Sequence, residues 1–248
     1  MSADVDPALA EKAVAIHERL CAVYGCPIDY FQHLDPLSEL VSTLLNHRTR
    51  NRQAKAAFEA LREAFPSWEA VRDAPTPEVQ DAIHGVNWPE QKAPRVQSVL
   101  RAITEERGEL SLKFLADMPV RDARRWLERI PGIGPKTSAA VLSFSTLRKA
   151  ALPVDSHHHR VAQRVGLIPR NMDVGPAHAA LEALMPPEWD AQEVYDHHQV
   201  FMRLGQKTCH WRGPECGRCP ILDLCPTGRA TRVPPPRQAD PRQGELRL

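Results

Sequence analysis

The chain has 248 residues, 42% of them apolar, 25% charged and 6% aromatic, enough apolar content for one large core or two modest ones. No apolar run reaches the roughly eighteen residues of a membrane-spanning helix, and the start MSADVDPALAEKA is acidic without an apolar signal region, so the expected location is the cytoplasm. Lysine and arginine total 32 against 31 acids, and a net charge of +1 is not the general basic excess usual in nucleic-acid-binding proteins.

Taken in chain order, the apolar spacing is helical. Leu37, Leu40, Val41, Leu44 and Leu45 fall on one helical stripe, with Asp35 and Pro36 suited to its cap and first turn. Thr76-Pro77 is a second helix start, and Val96, Val99, Leu100 and Ile103 mark another apolar face. Val120, Ala123, Trp126, Leu127 and Ile130 form a further face running into Pro131-Gly132. No stretch alternates long enough to predict a strand, no fixed-period repeat is present, and the predicted fold class is all-α. From Thr227 onward, five arginines and Pro234-Pro235-Pro236 with almost no large apolar residue predict a flexible basic tail over 227–248.

Three segments carry chemistry. Residues 130–142 read IPGIGPKTSAAVL, in which Gly132 and Gly134 permit a tight turn and Pro135 fits the first position of a helix. Lys136 then stands in that helix's first turn. There the backbone N–H groups attract phosphate, and the positive helix end disfavours an ammonium, favouring the nucleophilic amine. Pro153 to Arg160 follow; Asp155 reads either as an ordinary N-cap or as an acid/base partner of Lys136 across a cleft. The three consecutive histidines, His157 to His159, point in different directions on a helix and make a poor metal site. Last, Cys209, Cys216, Cys219 and Cys225 are spaced C-x6-C-x2-C-x5-C, a pattern that suits either an iron–sulfur cluster or tetrahedral zinc. The remaining cysteines, Cys21 and Cys26, read as small buried hydrophobes.

In this order, the hairpin Ile130 to Ser138, the segment Val154 to Val161 and the cysteine array Cys209 to Cys225 resemble the endonuclease III family of helix-hairpin-helix DNA glycosylases. The approach to the cysteines, His197-His198 through Leu204-Gly205, is similar as well, and the resemblance covers roughly 36–226. It implies two helical domains flanking a DNA-binding cleft: residues 36–150, and residues 1–35 joined with 151–226. It implies a 4Fe–4S cluster on the four cysteines, which resolves the metal question in favour of iron. It also implies a bifunctional glycosylase/AP lyase for oxidised pyrimidines, with Lys136 as nucleophile and Asp155 as stabiliser of the sugar cation. The expected partner is duplex DNA with damaged bases or abasic sites, bound by a monomer without a membrane. DNA contacts are expected at Gly132, Ile133, Gly134, Arg48, Asn87, His157 and Arg212.

Several positions depart from the family pattern. Arg48 stands where the family has the glutamine that fills the gap left by a flipped base; it reads equally as such a plug or as a phosphate ligand. The loop Gly85 to Ala93 is longer than its counterpart that wedges the duplex, and Trp88 within it is expected to pack in the core. His158 and His159 replace residues ordinarily apolar or aromatic. Two alternatives therefore stand beside the lyase: a damaged-DNA binding protein with little catalysis, and a monofunctional mismatch glycosylase. The neutral total also hides a pattern: 41–55 carry +4, 121–140 and 160–170 each +3, and 201–248 +5, so a basic groove forms if these segments share one face.

Overall fold

A computed structural model describes residues 6–231. Among these residues there is no strand, and none of the helices is long and apolar enough to cross a membrane. The helices are α1 (Pro7–Tyr24), α2 (Pro36–Asn46), α3 (Asn51–Ala64), α4 (Trp68–Asp73), α5 (Thr76–Ala82), α6 (Pro89–Arg107), α7 (Val120–Glu128), α8 (Pro135–Phe144), α9 (Ser156–Val165), α10 (Val174–Glu182), α11 (Ala191–Lys207) and α12 (Pro226–Ala230). The starts follow side-chain chemistry: Asp35 accepts the N–H groups of Leu37 and Ser38 before Pro36-led α2, and Asp190 with Glu193 forms a capping box on α11.

Two hydrophobic cores result. The stripe Leu37 to Leu45 packs with the α6 face Val96, Val99, Leu100 and Ile103 and with Ala123, Leu127 and Ile130 around α7. The second core joins Ala13, Ile16 and Leu20 of α1 to Val161 and Val165 of α9 and Val200, Phe201 and Leu204 of α11. Helix α8 serves both, giving Ala139, Val141 and Leu142 to the first and Ala140 and Phe144 to the second. Its residues from Thr137 onward are all buried, so its first turn is fixed at the junction of the cores.

Three expectations need correction. Cys21 and Cys26 are joined in a disulfide rather than buried as separate thiols. The reason is local: Gly25, at φ 78°, ends α1 and turns the chain back, bringing the two Cα atoms to 5.0 Å. Trp88 is 46% exposed and lies outside the core, because it precedes α6 in a left-handed conformation (φ 55°) that turns it outward. Residues 227–230, expected in the flexible tail, are helical instead, since α12 runs to Ala230 and Thr227 Oγ1 donates to the Arg164 carbonyl (2.7 Å). The rest of that tail, 232–248, lies outside the described residues.

Candidate active site

Lys136 and Asp155 line one open cleft together with Asn46, His47, Arg48, Trp88, Lys92 and Arg95 from the first core's side and Arg160, Arg170 and Trp211 from the second. Lys136 comes from the first turn of α8, directly after the hairpin. In that hairpin only Gly132 needs glycine's freedom, at φ 102°; Gly134 is an extended N-cap that any residue adopts. Ile133 is buried, and its N–H donates to the Ile130 carbonyl (3.0 Å). Burial pulls the Lys136 amine below the usual lysine range, while the charges of Asp155 and Glu39 act the other way.

Asp155 is the N-cap of α9 and also faces Lys136. Its Oδ1 accepts the His158 N–H at 2.7 Å, capping α9, and its charge acts on Lys136 across the cleft. The extended segment before it is pinned by α10: the Leu152 N–H donates to Glu182 Oε1 and the Val154 N–H to His178 Nε2, each at 3.1 Å. The carboxylate is thus carried on a braced backbone.

Two loops face each other at the cleft mouth. Arg48 (φ 50°) and Trp88 (φ 55°) are both left-handed without being glycine, a strain of about 1–2 kcal/mol each. The loops are tied together: Asn87 Nδ2 donates to the Arg48 carbonyl, the Asn87 N–H to Thr49 Oγ1 (3.1 Å), and Lys92 Nζ to Leu45 O (2.6 Å) and Thr49 Oγ1 (2.7 Å). Asn87 is therefore a brace on the Arg48 loop. His157 is not among the cleft-lining residues; its Nδ1 meets Arg160 Nη2 at 3.1 Å, and it packs against Gly205, where any Cβ would come within 2.7 Å of its own. Arg212 is exposed on the loop after Cys209.

Cys209, Cys216, Cys219 and Cys225 border one apolar pocket with Val161, Val165 and Leu204. Arg164 holds its edge, with Nη1 3.2 Å from Cys209 Sγ and 2.6 Å from the His210 carbonyl, and Nη2 3.0 Å from the Trp211 carbonyl. The Gly228 N–H donates to Cys225 Sγ at 3.2 Å. A Cβ on Gly228 would lie 2.8 Å from Leu222 Cδ1. Among the described residues no three donors converge as one metal ion requires. The sulfurs surround a space rather than a point.

Sequence reading missed His47 and Glu39. His47 Nε2 lies 3.1 Å from Thr137 Oγ1, and burial together with Lys136, Arg95 and Lys92 holds its pKa down at about 4. Glu39 is 2% exposed, accepts from Thr43 Oγ1 (3.0 Å) and Gln32 Nε2, and is pushed by burial up to about 7. A signal existed for Glu39, since it is the one charge inside the stripe Leu37 to Leu45.

Compared with known proteins, the chain matches the profile of the HhH-GPD superfamily base excision DNA repair proteins over residues 41–187. Endonuclease III of Synechocystis is 27% identical over 222 residues, covering 90% of this chain and 94% of that one. A candidate DNA glycosylase of Arabidopsis thaliana is 29% identical over 176 residues, covering 71% of this chain but only 60% of its own length. A trapped endonuclease III–DNA covalent intermediate shares the fold, with TM-score 0.73, 22% identity and coverage of 89% and 97%. A thermostable thymine-DNA glycosylase does likewise, with TM-score 0.73, 20% identity and coverage of 89% and 98%.

Proposed function

Because the chain belongs to the HhH-GPD superfamily of base excision DNA repair proteins, we propose that it is a bifunctional DNA glycosylase and AP lyase that removes oxidised pyrimidines from duplex DNA. The observation that carries this reading is the lysine at the helix start on the cleft wall, its amine pulled towards neutrality by burial and faced by Asp155.

The damaged nucleotide is flipped into the cleft, and the hairpin around Gly132 with the N–H groups opening α8 grips a phosphate. The neutral Lys136 nitrogen bonds to the sugar C1′ while the C1′–N bond breaks and its electron pair leaves with the base. A proton shed by the amine goes to that base. The C1′–O4′ bond then opens, O4′ takes up a proton, and the protonated imine remains on Lys136. Loss of a C2′ proton expels the 3′ phosphate and nicks the strand. Asp155 stabilises the positive charge that develops on the sugar, as it does that of the lysine. Arg48 and Trp88 enter the duplex from the strained, cross-braced loops, and Arg212 extends the contact.

The four cysteines suit a 4Fe–4S cluster: their sulfurs enclose a common pocket, and Arg164 and the Gly228 N–H donate to them as charged sulfur ligands require. Bound there, the cluster supplies a structural staple for the loop bearing Trp211 and Arg212.

Borohydride reduction tests the lysine. The wild-type protein should form a covalent adduct with thymine-glycol and abasic duplexes, and Lys136→Gln should form none. A wild type that traps neither duplex overturns the lyase reading.

A further inference from the structure

His47 is the last-turn neighbour of Lys136 rather than a general solvent-facing histidine. It caps the C-terminus of α2, lines the cleft, and reaches Thr137, the residue after Lys136, with Nε2 at 3.1 Å. The hydrogen-bond direction follows from burial. Thr137 is 2% exposed, and among the described residues its hydroxyl has no partner but His47. If the imidazole donated from Nε2, the Thr137 proton would be buried without an acceptor. The hydroxyl therefore donates to Nε2, and the ring's proton sits on Nδ1.

Nδ1 has no protein partner among the described residues and is not sealed from solvent, so its N–H is open to the cleft. Next to it, Asn46 also lines the cleft, with a buried Oδ1 that no group among the described residues satisfies. Burial, reinforced by the charges of Lys136, Arg95 and Lys92, holds the ring's pKa at about 4; with Nε2 engaged by Thr137, His47 is too weak a base to take the lysine's proton. What remains is a neutral, oriented donor beside the nucleophile.

Resting on the glycosylase reading above, we propose that His47 is a base-binding residue whose Nδ1–H donates to the carbonyl oxygen next to the glycosidic nitrogen of a departing pyrimidine. As the C1′–N bond breaks, its electron pair delocalises onto that oxygen, and the donor stabilises the negative charge without transferring its own proton. Lys136 forms the new bond to C1′, and the proton it sheds ends on the base nitrogen. Asn46 completes the polar wall. Once the base has gone, His47 has nothing to donate to, so its effect belongs to base release rather than to strand nicking.

Single-turnover rates on two duplexes test this, one carrying thymine glycol and one a preformed abasic site. His47→Ala should slow base release about 100-fold, the usual effect of removing one preorganised donor. Nicking of the abasic duplex should fall far less, and His47→Gln, which keeps an N–H, should recover part of the loss. Parallel losses on both duplexes, or no loss on either, would overturn the assignment. A wild type inactive on both duplexes overturns the lyase reading instead. In that event imidazole nitrogen NMR of the DNA-bound protein decides His47: its Nδ1 should be protonated and should shift with thymine-glycol duplex but not with abasic duplex. A ring protonated on Nε2, or equal shifts with both, refutes it.

Discussion

The residue with the most influence for its size is Glu39. Its carboxyl faces the charges of Lys136 and Arg148, yet burial outweighs them and pushes its pKa to about 7. Between the ordinary carboxyl range and about pH 7 the folded chain holds a proton that the unfolded chain has released. Stability contributed at Glu39 is therefore lost as pH rises through that window, by about 3 kcal/mol in all. Glu39→Gln should melt well above wild type at about pH 8 and close to it at about pH 5, read by thermal unfolding at both values. Gln32 rotates its amide to meet the new side chain. Above about pH 7, where Glu39 is ionised, the same substitution removes one of two negative charges that raise the Lys136 amine, so the amine should lose its proton more readily there. Equal melting shifts at both pH values would show that Glu39 acts through packing alone.

At the level of elements, α9 and α11 meet through imidazoles as well as aliphatic side chains. His158 stacks on Phe201 at 4.5 Å, His197 packs on the same ring at 4.5 Å, and both histidines are buried. Among the described residues neither ring nitrogen of His158 has a partner, and each such atom costs about 1–3 kcal/mol. Burial holds His158 and His197 well below the normal histidine range. As pH falls below about 6.5 the unfolded chain takes up protons there and the folded chain does not, so stability declines on acidification. His158→Phe keeps the stack and removes the unsatisfied atoms. It should unfold at higher denaturant than wild type, with the gap widening from about pH 7 to about pH 5; earlier unfolding would mean that the histidine has partners the fold depends on.

These elements show what a sequence does and does not disclose. The stripe Leu37 to Leu45, the start at Thr76 and the Pro135-led helix were legible because cap chemistry and a 3.6-residue period are local. The Cys21–Cys26 link was not, because it depends on how Gly25 turns the chain back. The burial of His158 was not legible either, because it depends on α11 closing over it. His47 carries no local signal, and the bracing by Asn87, expected only as a DNA contact, has none either; both arise from Thr137 and Arg48, ninety and thirty-nine positions away.

For the molecule as a whole, the small net charge is misleading about DNA because the charge is sorted in space. Each strongly positive segment sends residues to the cleft: Arg48 from 41–55, Lys136 from 121–140, Arg160 and Arg170 from 160–170, and Trp211, beside exposed Arg212, from 201–248. Lys92 and Arg95 add to them from α6. Counterions condensed on a duplex are released by such a groove whatever the protein's total charge, and the logarithm of affinity falls by about 0.9 per contacted phosphate for each tenfold rise in salt. With about five phosphates contacted, binding of an abasic duplex should lose about four to five decades per decade of salt. Arg170→Gln should weaken binding at every sequence and lower that slope by about one. Arg121, which lines a separate groove beside α7, is the control, and Arg121→Gln should leave the slope unchanged. Fluorescence anisotropy titrations at several salt concentrations give both numbers. A flat salt response, or equal effects of the two substitutions, would mean that overall charge rather than this cleft governs the encounter with DNA.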